Sequence, residues 1–165
     1  MKYTLLTFFF FGIITSLHSH ETTAVGKKSY TKKYYSNGSL QAEGWVMGTM
    51  KMGYWKLYHP NGKLAAKGHF SKNKKDQYWH YYNTLGDIIK EGHYRNDSAE
   101  DWWIFYEPEN SEKLKIQYRE NRRHGYAMRY KKRKLVKVER FDNNEKTGEW
   151  TSVIAFKIDN PGVTW

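Results

Sequence analysis

Tyr34, Tyr58, Tyr82, Tyr106 and Tyr130 stand 24 residues apart, and other residue classes keep the same step in the same register. Trp55, Trp79 and Trp103 share the interval, with Ala127 in the next slot and Trp150 one residue early. Gly44, Gly68 and Gly92 follow it, as do Gly38, Gly62 and Gly86, and Leu40, Leu64 and Ile88. Val46, Phe70, Tyr94 and Tyr118 complete the set. Chance does not hold so many classes in one register, so the chain must be an array of like supersecondary units.

One unit shows what the array is made of. Trp55-Lys56-Leu57-Tyr58 alternates between two faces, as a strand does. His59-Pro60-Asn61-Gly62 then carries the Asn-Gly hairpin signal, in which both residues tolerate positive φ. The return strand, residues 63–70, sets Leu64, Ala66, Gly68 and Phe70 on one face and Lys63, Ala65, Lys67 and His69 on the other. A polar turn over residues 71–77 leads to the next Trp. Glycine inside a strand weakens it, so the Gly44, Gly68 and Gly92 slot predicts an aromatic ring of a neighbouring strand lying over bare backbone. The recurring Tyr and Trp are read as packing residues.

Aromatics make up 18% of the chain, with seven Trp and fourteen Tyr, yet mean hydropathy is −0.91. Disordered chains lack aromatics, and a chain this polar cannot fill a large aliphatic core. A thin β-structure with half-exposed faces fits both facts. The predicted fold is all-β: an elongated, single-layer antiparallel meander of about five tandem 24-residue β-hairpin repeats. The later units decay. Glu109-Asn110 replaces Asn-Gly, and Lys131-Lys132-Arg133-Lys134 replaces the next turn with one residue lost. Residues 150–158 read as a closing strand rich in β-branched and aromatic side chains.

Lys2 followed by the uncharged run Leu5–Leu17 has the charge and length of a signal peptide rather than a membrane span. The expected organisation is a signal peptide over 1–19, a linker over 20–29, repeats over 30–152, and a strand cap and tail over 153–165. Export to the periplasm or outside the cell follows, an uncleaved N-terminal anchor being the alternative. With no cysteine there is no disulfide, thiolate metal site or lipoprotein anchor.

The pattern W-x-x-Y-x-x-N-G-x-L-x-x-x-G-x-[FY], with a later N-x-x-x-G-x-W, resembles the MORN-repeat variant of bacterial proteins. Tyr58-His59-Pro60-Asn61-Gly62-Lys63-Leu64 and Asn143-Asn144-Glu145-Lys146-Thr147-Gly148-Glu149-Trp150 carry the likeness best, which spans residues 30–152. The resemblance implies a twisted meander of consecutive hairpins. Many such proteins are labelled antitoxins of the YwqK type, which would make the chain an antitoxin or immunity-type inhibitor. Related MORN repeats are associated with scaffolding and phospholipid binding.

No nucleophile triad, metal-ligand motif or phosphate-cradling loop stands out, and Glu91, Asp101 and Glu107 are scattered. The chain is therefore read as non-enzymatic, without cofactor or metal. His69 and His93 are equivalent residues two strands apart, roughly 9–10 Å, too far to share a metal, and read as a polar ladder with Lys67.

Charge is less evenly spread. Residues 113–140 hold twelve Lys and Arg against Glu120 and Glu139, an excess of ten in a chain of net charge +11. Arg122, Arg123, Lys131, Lys132, Arg133 and Lys134 are the candidate anion-binding residues, placed in turns that alternate between sheet edges. Export disfavours nucleic acid as a partner for the mature chain and makes anionic lipid, acidic polysaccharide or an acidic protein more accessible. The leading expectation is a binding and scaffold module for protein partners. The alternative is an electrostatic adaptor to an anionic membrane surface or polysaccharide through the fourth and fifth repeats.

Overall fold

The computed structural model describes residues 26–107, 109 and 111–164. The signal-peptide reading and most of the linker lie outside them. Eleven strands form one antiparallel sheet in sequence order: β1 (Lys28–Tyr34), β2 (Leu40–Met47), β3 (Met50–Tyr58), β4 (Leu64–Ser71), β5 (Lys74–Tyr82), β6 (Ile88–Arg95), β7 (Ser98–Glu107), β8 (Glu112–Arg119), β9 (Arg122–Lys131), β10 (Lys134–Asp142) and β11 (Glu145–Trp150). Strand spacing makes this open meander about 48 Å wide. Pairing begins at Lys28, so the last two residues assigned to the linker belong to the sheet.

The turns on one edge are tighter than expected. The polar segment 71–77 is a two-residue turn, Lys72-Asn73, followed at once by β5. Lys72 and Asn73, Asn96 and Asp97, Glu120 and Asn121, and Asn143 and Asn144 all have positive φ at both residues, as do Lys132 and Arg133 on the opposite edge. This is the type I′ geometry whose twist matches the strands it joins. At four of these turns the second residue is Asn or Asp. Its Oδ1 accepts the backbone N–H of Lys51, Lys75, Ala99 or Arg123 at 2.6–2.8 Å, and its own N–H donates back to the same residue's carbonyl. Each tip is thereby tied to the preceding hairpin.

On the opposite edge Asn-Gly works differently from the expectation. At His59–Lys63 only Gly62 has positive φ, and its N–H donates to the carbonyl of His59. Asn61 instead uses its side chain, accepting the N–H of Lys63 and donating to the carbonyl of Thr84 in the next loop.

The predicted ring-over-glycine packing is present three times. A Cβ built on Gly44, Gly68 or Gly92 would lie 2.3 Å from the indole of Trp55, Trp79 or Trp103. Each indole N–H donates to a carbonyl one residue past the covered glycine, in Trp45, His69 and His93. Room for the ring comes from a bulge that adds two residues to the Trp strand. Gly53, Gln77, Asp101 and Gly125 sit in these bulges with φ of 57–88°, again at 24-residue intervals. The rings shield one another edge to face: Trp55, Phe70, Trp79, Tyr94 and Trp103 contact in succession. Trp79 has no exposed surface, although the sheet has a single layer. The Lys51 and Lys75 ammonium groups lie 4.9–5.3 Å over these rings, and the Arg123 guanidinium covers Phe141 at 4.5 Å.

The fourth unit exchanges its parts. Ile116 occupies the glycine slot and faces Ala127 in the tryptophan slot; both are buried. Bulk has moved from one strand to its neighbour with the core still filled.

The C-terminal strand cap is not formed. Residues Val153–Asp159 are an α-helix, α1, capped by the Ser152 Oγ on the N–H of Ala155 and ended at Asn160, with Pro161 following. Capping at Ser152 and the Asn160-Pro161 stop, together with the burial of Phe156, outweighed the β-branched composition. Phe156, fully buried, meets Tyr126 and Trp150 edge to face. Tyr126 adjoins Ala127 on its strand, so α1 covers the face opposite the tryptophan core. Trp150 therefore does not repeat the role of Trp79. It packs on α1 and donates its indole N–H to Asp159 Oδ2 at 2.8 Å.

Candidate contact surface

Alternation along each strand leaves a face opposite the tryptophans, and it too repeats. Tyr30, Tyr54, Tyr78, Trp102 and Tyr126 stand at 24-residue intervals, each beside the bulge or Trp slot but pointing the other way. The first four face Trp45, His69, His93 and Gln117 directly across the ladder. Tyr30 meets Trp45, Tyr54 meets His69, and Tyr78 meets His93 edge to face, with centroids 4.7–5.3 Å apart. The Lys115 Nζ lies 4.9 Å over Trp102. Tyr30, Trp45 and Tyr54 are 40–49% exposed, whereas Tyr78 and Trp102 are half-buried. The fifth position is covered by Phe156 of α1, and at the fourth the tail residues Gly162, Val163 and Thr164 line a hollow beside Trp102.

A polar row runs beside this stripe. Tyr58 donates to Glu43 at 2.7 Å, and Tyr106 donates to Glu91 at 2.6 Å. Partial burial, then the Glu43 carboxylate, pushes the Tyr58 hydroxyl up to about 12. The hydrogen bond from Tyr58 in turn holds the Glu43 carboxyl below its ordinary range. His80 stands 3.3 Å from Glu91; burial depresses its pKa, with Glu91 opposing. Lys67 lies over the Tyr82 ring at 5.8 Å. These contacts hold the side chains in place along the stripe. Among the described residues, no group of three or more His, Asp or Glu could hold a metal ion.

The candidate cations are divided between the two edges. Arg122 and Arg123 open β9 rather than forming a turn, and Lys131–Lys134 surround the turn at its other end. Ten residues of strand put about 30 Å between them, so they form two separate groups. Arg123 is already engaged: its guanidinium covers Phe141 and donates to the Asn144 carbonyl. Lys131 pairs with Glu112 at 3.3 Å. Lys132 and Arg133, with Lys113, Tyr106, Tyr130 and Glu107, line a hollow of about 760 Å³ on that edge.

The tryptophan and glycine positions proposed for the repeat hold the core, Trp150 excepted. Tyr58 and Tyr106 instead hold carboxylates on the opposite face, with Tyr82 under Lys67. Tyr130 lies beneath the Lys113 ammonium at 4.8 Å. The stripe at positions 30, 54, 78 and 102 was readable from its own 24-residue step, but it adjoins the stronger tryptophan signal and is masked by it. No protein-family model matches the chain, and a search of curated proteins finds no match.

Proposed function

We propose that the chain is an exported, non-catalytic binding and scaffold module, built from MORN-variant repeats, that meets its partner through the aromatic stripe. The repetition of that stripe, with Tyr30, Trp45 and Tyr54 exposed and Tyr78 and Trp102 half-buried, supports the reading. Core packing accounts for Trp55, Trp79 and Trp103 but not for exposed Tyr30, Trp45 and Tyr54. Tyrosine and tryptophan contribute most at contact surfaces, because each contributes large area at low entropic cost. An array of equivalent positions on a rigid ladder suits an extended partner, which gains affinity by engaging several at once.

A second reading, an electrostatic adaptor for an anionic partner, draws support from Lys113, Lys132 and Arg133 around the edge hollow. Salt separates the two, since exposed charge contacts are screened and aromatic contacts are not. The test is retention of an envelope fraction on the immobilised chain at low and high salt. Trp45→Ser with Tyr54→Ser is expected to abolish salt-resistant retention, and Lys132→Glu with Arg133→Glu to leave it intact. The reverse pattern would transfer the function to the edge.

A further inference from the structure

We infer that the stripe is a track for a linear, β-linked polysaccharide of low charge; this rests on the stripe being the contact surface and names the class of its partner. Spacing carries the first step. Tyr30, Tyr54, Tyr78 and Trp102 lie on β1, β3, β5 and β7, hence every second strand, about 9.5 Å apart across the sheet. An extended β-linked chain presents the same sugar face once per disaccharide, at closely the same interval. An extended peptide repeats its side-chain face every two residues, roughly 6.6–6.8 Å, and falls out of step with the rings by the second position.

Chemistry carries the second step. A sugar ring has an apolar face edged by hydroxyls, and therefore needs an aromatic platform with hydrogen-bonding groups at its sides. Each position supplies both. The aromatic residues stand with Trp45, His69, His93 and Gln117 across the ladder, and the neighbouring row carries Glu43, Lys56, Lys67, His80 and Glu91. An amphipathic helix would instead require a continuous apolar groove; here polar side chains interrupt the rings. Lys28 lies over Trp45 and Lys115 over Trp102, and Lys32, Lys56 and Lys67 stand among Glu43 and Glu91, so the lysines of this face are spread singly along it. The concentrated positive charge lies on the two edges. At the fifth position α1 closes the stripe through Phe156 and Tyr126, and Gly162, Val163 and Thr164 flank Trp102 at the fourth, which limits the track to no more than four disaccharides.

The test is calorimetric titration of the purified protein with cello-oligosaccharides and N-acetylchito-oligosaccharides of two to twelve sugars. Affinity is expected to rise roughly three- to tenfold per added disaccharide, as one further ring contact is made, to level off beyond four disaccharides, and to resist salt. Tyr54→Ser and Tyr78→Ser, each checked for unchanged melting, are expected to remove one such step apiece. Length-independent binding, binding lost in salt, or binding unchanged in both variants would overturn the proposal. Absence of oligosaccharide binding, while Trp45→Ser with Tyr54→Ser still abolishes envelope retention, would overturn the polysaccharide and leave a protein on the same stripe. If that double variant also retained the envelope fraction, the stripe itself would fail as the contact surface.

Discussion

At the scale of single residues, the fold depends on exchanging bulk between paired positions. Glycine faces tryptophan in three units, and Ile116 faces Ala127 in the fourth. Ala127→Trp alone should overpack the core and cost about 3 kcal/mol, whereas adding Ile116→Gly should recover most of the loss. A double-mutant cycle by urea melting checks it; additive losses would show the two sites to be independent. Trp79→Ala removes a fully buried ring and should cost roughly 3–5 kcal/mol. The Tyr58–Glu43 pair makes a pH prediction. Glu43, held low, adds stability above the usual carboxylate range that is lost as pH falls through its folded value. Tyr58, raised from 10.0 to about 12, adds stability that is complete below 10.0 and lost as pH rises toward 12. Tyr58→Phe should therefore flatten the melting-temperature profile at both ends, and an unchanged profile would mean the pair is not coupled to folding.

At the scale of the element, the bulge distinguishes this hairpin from an ordinary one. Four bulges place a residue at positive φ, and in two of them it is Gln77 or Asp101 rather than glycine. Left-handed backbone costs such residues roughly 1–2 kcal/mol, partly offset by the larger entropy glycine loses on folding. Gln77→Gly should raise stability by about 0.5–1 kcal/mol in denaturant melts. A loss instead would show that the Gln77 side chain makes a contact worth more than the strain. Repeat spacing made the hairpins themselves legible, because alternation and turn chemistry are local. The bulge is legible only in part: Gly53 and Gly125 mark its slot, but Gln77 and Asp101 hide it.

At the scale of the whole molecule, each hairpin contacts only its neighbours, so stability is a sum of units and interfaces. The open meander ends at β1, rich in exposed lysine, and at β11 beside α1. Charge on β1 discourages edge-to-edge pairing. Phe156→Ala should cost roughly 3–5 kcal/mol locally and release α1 and the last hairpin. Hydrogen exchange should then rise in β10 and β11 while β3–β6 stay protected. A uniform rise across all strands would show that the array unfolds as one unit.

The sequence by itself determined the repeat length, the all-β class, the order of the hairpins and the covering of Gly44, Gly68 and Gly92 by rings. Each of these follows from alternation, turn residues or the bare backbone of glycine, which act over a few residues. Tertiary structure alone decided which ring covers which glycine, and that Trp150 leaves the series to pack with Phe156. It also turned residues 153–159 into a helix, because a buried ring contact with Tyr126 outweighs the β-propensity of Val153, Ile154 and Ile158. The separation of the basic clusters follows from β9 running between opposite edges. Such outcomes depend on residues that meet across the sheet, and a linear pattern records those meetings only where they recur.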